Sequence, residues 1–151
     1  MPLFGERHQK LLIMKKLGLI ITVLLISYTG IAQDKKGVRV TVTIENVLSD
    51  GGTILGGLHT AETFMKGTGV ANAMAPAQVG EVTLTFDNVE PGTFAIIVMH
   101  DANDNKQMDM ENGMPKENYA TSGELNPYGP PMFSDAKFEV VDQNQEFRIR
   151  F

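Results

Sequence analysis

The chain has 151 residues, no cysteine, and 13 Lys plus Arg against 18 Asp plus Glu, which excludes disulfides, a thiol nucleophile and a cysteine-borne lipid anchor. A formal net charge of -5 makes nucleic acid and anionic lipid surfaces poor partners. Counted from Gln33, nine basic residues against 17 acidic ones leave 9 − 17 = −8.

Met14-Lys15-Lys16 followed by the apolar stretch Leu17 to Ile26 has the layout of a signal peptide. The apolar run falls short of the roughly 20 residues that span a bilayer. Gly30 and Ala32 supply the small residues of a cleavage site, so a signal peptide is expected over 14–32 and cleavage after Ala32. Residues 1–13 read as a mis-called extension ahead of Met14, and 33–37 as a short linker. The remaining stretch, 38–151, suits one domain. The protein is then exported, periplasmic or released, with no membrane span in its mature form.

Val38, Val40, Val42 and Ile44 alternate with Arg39, Thr41, Thr43 and Glu45, and a period of two predicts a half-buried strand. Ser49-Asp-Gly-Gly52 is a turn signal, and Thr53 to Thr60 predicts a second strand with Ile54 and Leu58 on one face. Together they read as a hairpin. Residues 61–78 lack alternation and read as a loop. Val79 to Phe86 restores it, with Val82, Leu84 and Phe86 inward. Pro91-Gly92 turns the chain into Thr93 to His100, apolar on both faces and therefore the most central strand.

Residues 101–134 carry no strand pattern and many Gly and Pro, which predicts one long ordered loop packed by its own side chains. Ala136 to Val141 and Gln145 to Phe151 close the chain as two strands joined by a turn. Six short strands with turns between them and no amphipathic helix predict an all-β fold, a single β-sandwich.

Four motifs stand in order along this stretch: Phe86-Asp-Asn-Val-Glu-Pro-Gly-Thr-Phe94, Val98-Met-His-Asp-Ala-Asn-Asp-Asn105, Gly113-Met-Pro-Lys-Glu117 and Tyr128-Gly-Pro-Pro-Met-Phe133. Together they resemble a bacterial exported family of unknown function, the DUF2141 domain, over nearly all of 38–151. The resemblance implies a single Ig-like or prealbumin-like sandwich and brings no activity with it.

The most distinctive stretch starts where the central strand ends. Asp101, Asn103, Asn105 and Asp109 occupy positions 1, 3, 5 and 9 of a calcium-loop pattern, Gln107 supplies the backbone carbonyl of position 7, and Glu111 or Asn112 has to complete the shell, where the pattern wants Glu at position 12. Lys106 departs from the pattern at position 6, where glycine normally makes the sharp turn. A solvated Asx-rich turn uses the same residue types, since Asp and Asn also bond their own backbone. Both readings stay open. Tyr119, Tyr128 and Phe133 are candidates for a ligand surface on the long loop, aromatic rings being suited to sugars or peptides; packing of the loop is their other use.

His59 and His100 each end a predicted strand. With Asp101 they supply the minimum ligand set of a small metal-dependent hydrolase, although no sequence spacing brings them together. No serine sits in a strand-nucleophile-helix elbow. The favoured reading is an exported, non-enzymatic binding or structural module. Its partner would be an unidentified ligand or envelope protein, and calcium its one candidate cofactor.

Overall fold

A computed structural model describes residues 37–124 and 129–151. The expected extension, the signal peptide and all of the linker except Gly37 lie outside the described residues, as does Tyr128. Among the described residues, no helix is long and apolar enough to cross a membrane.

The alternation at the start of the domain becomes β1 (Val38–Val47), whose Val40, Val42 and Ile44 are completely buried. It is the middle strand of a three-stranded sheet. β4 (Gly80–Val89) pairs with it antiparallel, Val42 opposite Leu84, and β10 (Gln145–Arg150) pairs with it in parallel, Val42 opposite Phe147. Charges line the exposed face, where Arg148 is paired with Glu45 at 2.5 Å and with Glu81.

The second sheet runs β3 (Ala71–Pro76), β2 (Thr53–His59), β5 (Gly92–Asp101), β8 (Tyr119–Thr121), with β9 (Phe138–Val140) also pairing with β5. Apolar on both faces, β5 is the strand that takes most partners. One face of it contributes Ile96 and Val98 to the core shared with β1 and β4. On its other face, Ala95 and Ile97 join Phe64, Phe133 and Ala136 in a second, smaller cluster.

Close contact between the sheets depends on Gly56, where a Cβ atom would stand 2.5 Å from Leu84 Cδ1 of the opposite sheet. A side chain there would occupy space that Leu84 already fills.

The expected strands and loops need correction at several points. β1 and β2 form no hairpin; they belong to different sheets. At the end of β1 the ladder with β4 shifts register, and Asn46 takes a left-handed φ of 62 with its Nδ2 bonded to the Phe151 carbonyl, so the chain leaves one sheet for the other. The last two strands, β9 and β10, joined by a turn, pair with β5 and β1. The expected 61–78 loop contains β3, whose inward residues are only alanines and whose exposed Met74 opposes the apolar-inward rule.

The expected 101–134 loop holds the hairpin β6 (Met110–Glu111) and β7 (Met114–Pro115), then β8. Asn112 and Gly113, at φ 52 and φ 79, make its two-residue turn. The strand expected from Ala136 starts only at Phe138, after a single helical turn α1 (Phe133–Ala136).

Candidate metal centre

β5 carries Asp101 to the end of its sheet, where the chain must turn away from the last ladder pair, Thr53 opposite Asp101. Asp101 is fully buried, at 0% exposure. A buried carboxylate needs donors, and the loop's own backbone supplies them: Oδ1 accepts the Asn105 N–H at 3.1 Å and Oδ2 accepts the Lys106 N–H at 2.7 Å. Two Asx turns follow at alternate residues. Asn103 Oδ1 shares the Asn105 N–H at 3.1 Å, and Asn105 Oδ1 accepts the Gln107 N–H at 2.8 Å.

These bonds fold the chain back on itself, and Asp109 ties it to Asn103 and Asn105. Its two carboxylate oxygens accept the side-chain amides of Asn103 at 2.7 Å and Asn105 at 2.9 Å. The winding requires a left-handed residue at position 6. Lys106 adopts it, with φ 59, and Asp104 does the same at φ 58; the departure from glycine changes the cost of the turn and not its shape. Asp104 also receives the Thr53 hydroxyl at 2.6 Å, tying the loop to the start of β2.

Glu117 does not belong to the oxygen pattern legible in the sequence. It is 9% exposed, and its carboxylate reaches both ends of the loop, Oε1 accepting the Ala102 N–H at 3.1 Å and Oε2 the Asp109 N–H at 3.3 Å. Glu111, expected to complete the shell, is exposed in the β6 hairpin opposite Met114. The hairpin is what brings the chain back, so that the inward carboxylate arrives six residues later. The one sequence signal for Glu117 is its place in the Gly113-Met-Pro-Lys-Glu117 motif. A shallow cleft beside the loop is lined by Ser49, His100, Asn103, Asp109, Lys116 and Glu117.

The two histidines do not meet. His59 stands opposite Ala95 and His100 opposite Ile54 in the β2–β5 ladder, five positions or about 16 Å apart along the strand. Each ring bonds a carbonyl: His59 Nδ1 that of Thr63 at 3.1 Å, His100 Nε2 that of Gly51 at 2.7 Å. Burial pushes the His59 pKa below its ordinary range, while the bond to Thr63 opposes that shift. The three-ligand set of His59, His100 and Asp101 is therefore not assembled.

Among the described residues, no group of three or more His, Cys, Asp and Glu side chains is arranged to hold a metal ion. An ion at the 101–117 loop would depend on amide and carbonyl oxygens beside the carboxylates, a hard-donor set that suits calcium better than zinc. Of the aromatic candidates, Tyr119 lies half-buried in β8 opposite Met99. Phe133 opens α1 and meets the Phe64 ring edge-on at 5.7 Å, so it pins α1 to the outer face of β5.

The family model of DUF2141, described as "Uncharacterized protein conserved in bacteria", matches residues 42–148. The chain belongs to the DUF2141 family. No curated protein and no solved structure matches it. The DUF2141 match takes in the whole 101–117 loop and reaches from β1 into β10.

Proposed function

We propose that this chain is an exported, non-enzymatic module with an Ig-like, prealbumin-like sandwich as its mount, and that its 101–117 loop holds calcium and forms the face that meets a ligand or envelope partner. One observation carries the reading: Asp101 accepts the Asn105 and Lys106 N–H groups at a left-handed Lys106, and the side-chain amides of Asn103 and Asn105 both reach the Asp109 carboxylate. Here the amide groups of Asn103 and Asn105 supply the positive partner of the Asp109 carboxylate. A calcium ion would supply it instead, drawing on oxygens of Asp101, Asn103, Asn105 and Asp109 and on the Gln107 carbonyl, with roughly 6–8 oxygens in its full shell. The ion's work is to hold the loop in one shape. The separation of His59 from His100 supports a binding role over hydrolysis.

Calorimetric titration with calcium chloride, paired with thermal unfolding, tests the reading. Calcium at a hundredfold excess over its Kd stabilises the fold by about 2.7 kcal/mol, a chelator reverses the gain, and Asp109→Asn abolishes it. A thermal midpoint indifferent to both calcium and chelator sinks the proposal.

A further inference from the structure

We propose that Asn112 is a site of spontaneous modification, an ageing point at the tip of the β6–β7 hairpin where the side-chain amide converts to aspartyl and isoaspartyl forms. Asn112 is the one asparagine of the chain followed by glycine. Both residues of the pair are exposed, and a Cβ added to Gly113 would meet nothing within 4 Å. No neighbour therefore covers the Gly113 nitrogen, the nucleophile of this reaction. At every other asparagine the next residue carries a Cβ that crowds the attack. Of the described asparagines, Asn46, Asn72, Asn88, Asn103, Asn105 and Asn144 are also held by hydrogen bonds of the side-chain amide, while Asn112 and Asn118 are not, and Asn118 precedes the bulky Tyr119.

The chemistry needs water alone. The Gly113 nitrogen attacks Asn112 Cγ, its proton departs with the side-chain nitrogen as ammonia, and a cyclic imide joins the two residues. Water then opens one of the two imide carbonyls. Attack at Cγ breaks the new C–N bond and leaves aspartate; attack at the main-chain carbonyl breaks the original bond and leaves isoaspartate, with the chain now running through Cβ and Cγ. Ring closure requires the turn to leave its left-handed geometry, φ 52 at Asn112. A hairpin of two residues on each side, all four exposed, opens readily, because so short a ladder buries nothing that would hold it shut.

The two products act differently on the loop. Aspartate keeps the length of the backbone and tolerates the left-handed turn. Isoaspartate adds a methylene to the main chain inside the two-residue turn that sets Glu111 opposite Met114 and the Asp109 carbonyl on the Lys116 N–H. The next residue, Glu117, carries the bonds to Ala102 and Asp109 that join the ends of the loop. Isoaspartate thus loosens that clamp, whether or not the loop holds an ion.

Ageing of the purified protein at neutral and at mildly alkaline pH, with chelator present to keep the test apart from ion binding, is followed by ion exchange and tryptic mapping. Cleavage after Lys106 and Lys116 isolates residues 107–116, where Asn112 is the one asparagine. An acidic form is expected to accumulate with its change in that peptide, faster at the higher pH because the attacking nitrogen must give up its proton. Asn112→Gln, whose longer side chain closes a larger and less favourable ring, slows the conversion about tenfold or more. Asn112→Asp is expected to unfold at the urea midpoint of the fresh protein, and the isoaspartyl fraction at a lower one. An unchanged 107–116 peptide in aged protein, another asparagine that converts first, or an isoaspartyl fraction as stable as Asn112→Asp overturns the proposal.

Discussion

Glu117 holds the backbone of Asp109 in place: its Oε2 accepts the Asp109 N–H at 3.3 Å while its Oε1 takes the Ala102 N–H at 3.1 Å. One nearly buried carboxylate thus joins the first and last turns of the loop. Glu117→Gln keeps the side chain's size but turns an amide nitrogen toward one of two N–H donors. It is expected to lower unfolding stability by about 1.5–3 kcal/mol, the range for bonds to a charged group. Urea unfolding measures this, and a loss below about 0.5 kcal/mol would place the variant among neutral surface changes.

Lys106 has the left-handed backbone that glycine adopts freely. Relieving that strain gains about 1–2 kcal/mol, and the freer unfolded chain of glycine takes back about 0.5–1 kcal/mol. Lys106→Gly is therefore expected to raise stability by up to about 1.5 kcal/mol, the net of those two effects. A stability loss in denaturant titration would contradict the turn described at position 6.

The imidazole of His59 is buried against Phe64, with ring centroids 6.2 Å apart, and its pKa is held down chiefly by that burial. In the unfolded chain it titrates near about 6.5. As pH falls the unfolded state therefore takes up its proton first. Above that pH His59 contributes no pH dependence; below it stability declines, and the loss levels off under the folded pKa. His59→Phe keeps a ring against Phe64 and should flatten the difference between urea midpoints at about pH 7.5 and about pH 5, the range that brackets the free imidazole. An unchanged slope would show that other groups carry the acid sensitivity.

Gly56 is buried in β2 and faces Leu84 of the opposite sheet. Gly56→Ala places a methyl 2.5 Å from Leu84 Cδ1, on a side chain that is itself 1% exposed. Overpacking of this kind costs about 1–3 kcal/mol. Gly51, with nothing within 4 Å of an added Cβ, is the matched control, and equal unfolding midpoints for the two variants would refute the close approach.

The residue alternation of β1, β4 and β5 is legible from the sequence because inward and outward positions differ in polarity one residue at a time. The oxygen spacing from Asp101 to Asp109 is legible for a similar reason, since an Asx turn reaches only two residues along the chain. β3 is hidden because alanine fills its inward positions and methionine one of its outward ones. The β6–β7 hairpin does have a sequence sign, Asn112-Gly113, masked by the many other loop-forming residues around it.

Tertiary structure alone decided which strands pair, that β1 and β2 part into different sheets, that His59 and His100 stand at opposite ends of one ladder, and that Glu117 reaches the loop where Glu111 does not. Alternation states which face of a strand is buried but names no partner. Partners are chosen by contacts between residues far apart in the chain, through closure of both sheets over one core.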